Sequence, residues 1–178
     1  MRIIAGTLKG RRLDAPDWPG LRPTSDRLRE TLFNVLAPRI DGARFLDAYA
    51  GTGAVGIEAL SRGAAHVTFI EKDRRAVALI EVNLAGCGVA AGYTIEHRDL
   101  IAGLRHAAGA AFDVVWLDPP YDSAEIGDAL AAASGILAPG GLVVLDRATR
   151  REPDVPASLA RVRDVKSGDS TLTFFIRP

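Results

Sequence analysis

The chain has 178 residues, of which 48% are hydrophobic and 25% charged, with 22 lysines and arginines against 22 aspartates and glutamates. That length predicts one domain with a real core, and the balanced charge announces no nucleic-acid partner through global basicity. The single cysteine, Cys87, excludes an internal disulfide and fits a reducing cytosol, so a cytoplasmic protein is expected. No signal-peptide pattern opens the chain, and the longest uncharged run, Ala129 to Leu145, is broken by Pro139-Gly140-Gly141 and too short to cross a bilayer.

At the amino end, Arg2 to Ala5 and Arg11 to Leu13 flank Gly6 to Gly10 and predict a small hairpin. Met1 to Leu13 carries Arg2, Lys9, Arg11 and Arg12 and no acid, so this end is locally cationic. Trp18 beside Pro19 reads as a local cover over the sheet in preference to an RNA-stacking residue. Thr24 or Ser25 then caps a helix opened by Asp26, with Leu28, Leu32, Val35 and Leu36 on one face and Pro38 as its expected end. Arg27, Arg29, Glu30 and Asn34 fall elsewhere on that helix, and arginines 22, 27 and 29 near the basic hairpin make a phosphate track.

From Arg44 the pattern becomes alternating strands and helices, which predicts a mainly parallel sheet covered on both faces. Strands are expected over Phe45–Tyr49, His66–Glu71, Tyr93–Glu96, Phe112–Leu117 and Leu142–Asp146. Helices are expected over Ala54–Ser61, Arg74–Leu84 with Gly86 as cap, Asp99–His106, and from a Ser123 or Asp122 cap to Ser134. Ala160–Lys166 and Thr171–Arg177, joined at Ser167-Gly168-Asp169-Ser170, read as a closing hairpin.

Two motifs carry chemistry. In Asp47-Ala-Tyr49-Ala-Gly51-Thr52-Gly53-Ala-Val-Gly56 a G-x-G-x-x-G follows a strand and opens a helix, where bare backbone can approach a ligand. Glu71 ends the next strand, where a carboxylate can accept both ribose hydroxyls of a nucleoside. A dinucleotide site is the first rival, but Asp47 precedes the loop by four residues and no hydride-transfer site is evident. An acid there suits a ligand with an ammonium group, such as S-adenosylmethionine. Asp99 is placed either to accept from the adenine amine or to cap a helix.

The second motif, Asp118-Pro119-Pro120-Tyr121, lies at a strand tip. Paired prolines stop the sheet and stiffen the loop. The Asp118 carboxylate and the Pro119 carbonyl can then accept N–H bonds from a flat exocyclic amine while Tyr121 stacks on its face. In open α/β sheets ligands bind outside the carboxyl ends of the strands, which brings Asp47, Glu71 and Asp118 together. His66, His97 and His106 have no metal-ligand spacing, and no metal is expected.

Asp47-Ala-Tyr-Ala-Gly51-Thr-Gly53 with Asp118-Pro-Pro-Tyr121 resembles the amino-group methyltransferases of the class I, Rossmann-like fold. Met1 to Gly6, Leu21 to Thr24, Asp26 to Asn34 and Glu58 to Gly63 are similar to the RsmD-type 16S ribosomal RNA guanine-N2 methyltransferases over nearly the whole chain. The resemblance implies a seven-stranded sheet with the last strand antiparallel, preceded by a small extension, here 1–40 before a domain at 41–178. It implies S-adenosylmethionine held by Asp47, Tyr49, Gly51, Thr52, Gly53, Glu71, Lys72, Asp99 and Leu100. Asp118, Pro119, Pro120 and Tyr121 then carry catalysis, and Arg2, Lys9, Arg11, Arg12, Arg22 and Arg27 face RNA. A monomer acting on the small ribosomal subunit is expected. Ser167 stands where the family commonly has Tyr, and Asp146 where it often has Glu. The alternatives are a DNA adenine-N6 methyltransferase, which needs sequence-reading elements not found here, and a noncatalytic nucleotide-binding module, which has no use for the Asp118 loop.

Overall fold

A computed structural model describes residues 1–20, 24–120 and 123–178. The expectations for Arg22, Tyr121 and Asp122 fall outside them.

Seven strands form one sheet in the order β3-β2-β1-β4-β5-β7-β6. They are β1 (Arg44–Asp47), β2 (His66–Glu71), β3 (Tyr93–His97), β4 (Phe112–Leu117), β5 (Leu137–Ala148), β6 (Ala160–Ser167) and β7 (Ser170–Ile176). All neighbours pair in parallel except β7, which runs antiparallel to both β5 and β6, as the resemblance implied. The chain winds outward from β1 to β3, then returns to lay β4 on the other side of β1. The gap between β1 and β4 is therefore the switch point, where loops diverge and leave a crevice.

The helices are α1 (Asp26–Ile40), α2 (Ala54–Ser61), α3 (Arg74–Cys87), α4 (Leu100–His106) and α5 (Ile126–Ser134). Strand alternation splits the apolar residues into two layers. Phe45, Val67, Phe69, Val114, Trp116 and Phe174 pack with α1, α2 and α3 on one face. Leu46, Ile70, Val115, Leu117 and Phe175 pack with α4 and α5 on the other. Ile3 and Leu13 near the amino end belong to the first layer, so the hairpin shares its core with α1.

Several boundaries differ from expectation for physical reasons. Helix α1 runs past Pro38 to Ile40, because burial of Ile40 on the sheet holds the last turn although proline donates no hydrogen bond. Helix α3 continues three residues beyond Leu84 and is capped by Gly88, at φ 78°, not by Gly86. Helix α5 begins at Ile126 with Glu125 as its cap residue. The first strand ends at Asp47, since Tyr49 has already turned into the glycine loop. The amino-terminal hairpin has one bridge, between Arg2 and Arg12, supported by Ile3 N–H to the Arg11 carbonyl at 2.9 Å.

The largest correction concerns Arg29, which is fully buried and cannot join a phosphate track. It lies on the stripe of Phe33, Leu36 and Ile40, at spacings of a single helical face. Its guanidinium donates to Glu58 Oε2 at 3.3 Å, to the Arg2 carbonyl at 2.7 Å and to Asp26 Oδ1 at 2.7 Å. The buried Glu58 carboxylate also accepts from Ile4 N–H at 2.8 Å, Ala5 N–H at 3.0 Å and Arg62 Nε at 2.7 Å. Gly6 completes the junction: at φ +82° it passes so close that a Cβ would lie 1.8 Å from the Ser61 carbonyl oxygen. Glu58→Ala removes the buried partner of Arg29, leaving it only the exposed Asp26 carboxylate, and strands two amides, so urea unfolding is expected to show a loss of about 3 kcal/mol. The double change Arg29→Met with Glu58→Leu is expected to cost less than the sum of the single changes.

Candidate functional site

At the switch point the strand ends surround a cavity of about 720 Å³, in the range of small-molecule sites. Its walls include Asp47, Tyr49, Gly51 and Thr52 after β1, Glu71 and Lys72 after β2, and Asp118, Pro119 and Pro120 after β4. The order of the sheet brings these segments together, since β1 pairs with both β2 and β4.

Asp47 is 1% exposed. Its Oδ2 accepts from Gly56 N–H at 2.9 Å, near the start of α2, while Oδ1 is buried with no partner. Desolvation dominates and pushes its carboxyl up to about 7; the Gly56 amide opposes this, and the nearby Asp118 and Glu71 reinforce it. A cation seated at Oδ1 would supply the missing partner.

Glu71 is committed to shaping the loop. Its Oε2 accepts from Gly51 N–H at 2.9 Å and its Oε1 from Asp73 N–H at 2.8 Å, so the carboxylate is fixed against the cavity with lone pairs left for a diol. Gly53, the cap residue of α2, sits at φ 76°, a conformation that side chains rarely adopt. Thr52 is buried, and its carbonyl accepts from Asn83 Nδ2 at 2.9 Å.

Asp118 follows the last residue of β4, and its Oδ2 accepts from the Thr24 hydroxyl at 2.8 Å. That bond orients the carboxylate. Pro119 is buried and Pro120 exposed, and the Pro120 carbonyl accepts from Ser123 N–H at 2.9 Å. The Tyr49 hydroxyl is buried without a hydrogen bond, and desolvation pushes the phenol up to about 12 although Ser123 lies close enough to oppose the shift. It remains a neutral donor at physiological pH.

Not every expected residue reaches the cavity. Asp99 is exposed and accepts from Ala102 N–H at 2.9 Å as the cap of α4; neither it nor Leu100 is among the lining residues. Arg2, Lys9, Arg11, Arg12 and Arg27 are all exposed and lie outside the cavity wall. The structure adds residues that sequence reasoning misses: Thr24, Ser25 and Leu28 from the start of α1, Trp116 of β4, and Asp146, Ser167, Asp169 and Ser170 from the far side. By sequence Thr24 is only a candidate cap, yet its neighbour Ser25 caps α1 and leaves the threonine hydroxyl to Asp118. Among the described residues no group of three or more His, Cys, Asp or Glu is arranged for a metal ion.

The family described as Conserved hypothetical protein 95 matches residues 1–176. The chain belongs to this family. It is 38% identical to ribosomal RNA small subunit methyltransferase D of Escherichia coli strain K12 over 180 residues, covering 99% of this chain and 90% of that one. It is 36% identical to the protein of the same name from Haemophilus influenzae, over 94% of this chain and 89% of the relative. Among solved structures, Escherichia coli yhhF superposes with a TM-score of 0.89 at 34% identity, covering 99% and 97% of the two chains. A hypothetical protein of Thermus thermophilus follows at 0.83 and 32%, covering 100% and 99%. These two structures therefore share the architecture over nearly the whole chain.

The raised Asp47 carboxyl has a consequence for stability. Its contribution is fully present below the ordinary 3.8 and is lost as pH rises through about 7. In urea unfolding without ligand, the wild type is therefore expected to lose stability relative to Asp47→Asn between about pH 4 and about pH 7, and to hold level above. Asparagine keeps an oxygen for Gly56 N–H, so the comparison isolates the charge.

Proposed function

We propose that the chain is an S-adenosylmethionine-dependent methyltransferase acting on the exocyclic N2 of a guanine in 16S ribosomal RNA, within an assembled small-subunit particle. The observation that carries the chemistry is the convergence on one cavity of Asp47, with an unpartnered buried oxygen, and Asp118, oriented by Thr24. The first fits a ligand with an ammonium group and the second an amine acceptor. The names borne by the relatives support ribosomal RNA as the substrate.

The methyl donor fits the residues present: Asp47 Oδ1 takes the ammonium, Glu71 the ribose diol, and the Gly51 to Gly53 backbone lets the ligand approach. When bound, it supplies an electrophilic sulfonium methyl. Guanine N2 is a poor nucleophile because its lone pair is delocalised into the ring. Asp118 and the Pro119 carbonyl accept the N2 hydrogens, align the nitrogen and favour a more tetrahedral geometry. Placement in line at about 3–3.5 Å with exclusion of water supplies the remaining acceleration. The N–C bond forms as the S–C bond breaks, and the N2 proton passes to Asp118 or to a water that it orders. Tyr121 holds the turned-out base by stacking.

Arg2, Lys9, Arg11, Arg12, Arg22 and Arg27 track the RNA backbone. Residues 1–40 serve as the RNA-facing and cofactor-covering extension to the methyltransferase domain at 41–178. The protein works as a cytoplasmic monomer without a metal; among the described residues no helix is long and apolar enough to cross a membrane.

Labelled-methyl transfer to free 16S RNA, assembled small subunit and duplex DNA, followed by digestion to nucleosides, tests the reading; methylation of adenine in DNA would overturn it. Asp118→Ala is expected to abolish transfer while binding of S-adenosylhomocysteine is kept. Thr24→Val is expected to lower turnover about tenfold, the scale of one hydrogen bond. The triple change Lys9→Ala, Arg11→Ala, Arg12→Ala is expected to weaken RNA binding and flatten its salt dependence, by a slope of about 0.7 for each phosphate left without its cation. Unchanged RNA affinity at low salt would remove the hairpin from the interface.

A further inference from the structure

The segment between the amino-terminal hairpin and α1 is fastened to α3 at two points. Asp14 N–H donates to Asn83 Oδ1 at 2.7 Å, and Asn83 Nδ2 donates to the carbonyls of Asp14 at 3.2 Å and Thr52 at 2.9 Å. Asn83 is 2% exposed, so one buried amide joins this segment, α3 and the glycine loop. Further along, the Arg75 guanidinium carbon lies 5.0 Å from the centre of the Trp18 ring. Arg75 is itself held by Asp73, the cap residue of α3, through Nε at 3.2 Å and Nη2 at 2.7 Å, contacts that draw the Asp73 carboxyl down to about 2.

These attachments put the half-buried Trp18 in the cavity wall with Glu71, Lys72 and Asp73. A tryptophan that served only to cover the sheet would have no reason to border the ligand space, and a cation held against the ring fixes its orientation for contact with a second flat group. Glu71 marks the ribose end of the cavity in the reading above, so the surface beside it belongs to the nucleoside. We propose that Trp18 is the aromatic wall for the adenosine half of the methyl donor, steadied by Arg75, so that the amino-terminal extension takes part in holding the donor. This rests on the assignment of S-adenosylmethionine to the cavity.

Two ligands locate the contact: S-adenosylhomocysteine, and 5′-methylthioadenosine, which has the nucleoside without the amino-acid end. Calorimetric titration of the full chain is expected to show both weakened about tenfold by Trp18→Ala, the scale of one aromatic–base contact. Trp18→Phe keeps a ring and is expected to stay within about threefold, and Arg75→Ala to weaken both about threefold. Asp47→Asn, by contrast, is expected to weaken only S-adenosylhomocysteine. The chain has 2 tryptophans, and the ligand-induced change in fluorescence is expected to shrink in Trp18→Phe, which leaves Trp116 alone. If Trp18→Ala binds both ligands as the wild type does while Asp47→Asn still weakens S-adenosylhomocysteine, the Trp18 proposal falls and the donor assignment stands. A loss in Trp18→Ala confined to RNA affinity overturns the proposal in the same way. If the wild type binds neither ligand, both readings fall.

Discussion

The Glu58 carboxylate is the point on which the active end of this molecule hangs. It is fully buried on α2 and collects two backbone amides of the hairpin, the Arg29 guanidinium of α1 and the Arg62 guanidinium. A charge so placed is expensive to desolvate, and the hydrogen bonds gathered around the pair offset that cost, with Arg29 Nε alone among them buried without a partner. What the arrangement secures is position. Helix α1 begins with Thr24 on Asp118 and Leu28 in the cavity wall, and the hairpin leads into the segment that carries Trp18. Without Glu58 to lock hairpin, α1 and α2 into one body, the strand ends would still converge, but one wall of the cavity would lose its support.

The same economy of charge operates inside the cavity. Asp47, Glu71 and Asp118 approach one another closely enough for the last two to disfavour ionisation of the first. Glu71 accepts from the amides of Gly51 and Asp73 and Asp118 from the Thr24 hydroxyl, whereas one Asp47 oxygen is left without a bond. An ammonium seated at Asp47 Oδ1 would supply the missing partner and favour the carboxylate over the neutral acid.

Much of this is legible in the residues, and the departures follow from packing. Strand and helix order, the antiparallel closing strand, and the convergence of Asp47, Glu71 and Asp118 agree with local signals: β-branched runs, glycine turns and acids at strand tips. Arg29 departs because its charge argues for solvent, although its spacing to Phe33, Leu36 and Ile40 puts it on the buried stripe. Its partner Glu58 is 29 residues away, and no local pattern announces such a pair. The ends of α1 and α3 differ because tertiary burial outweighs a proline and a glycine. Asp99 carries a cap signal and a ligand signal together, and the chain uses it as a cap. The Asp146 and Ser167 to Ser170 wall needs the strand order itself: only with β7 between β5 and β6 does the tail turn return to the cavity.

Helix α2 links the amino-terminal hairpin to the glycine loop. It starts beside the glycine loop at Gly53 and ends at Ser61, whose carbonyl and hydroxyl accept from Thr7 N–H at 2.7 Å and Leu8 N–H at 2.9 Å. With 8 residues it measures about 12 Å, the span along the helix between the glycine loop and the Ser61 anchor of the hairpin. The short α2 is thus fastened to the hairpin at one end and opens from the glycine loop at the other, so the two cannot shift independently.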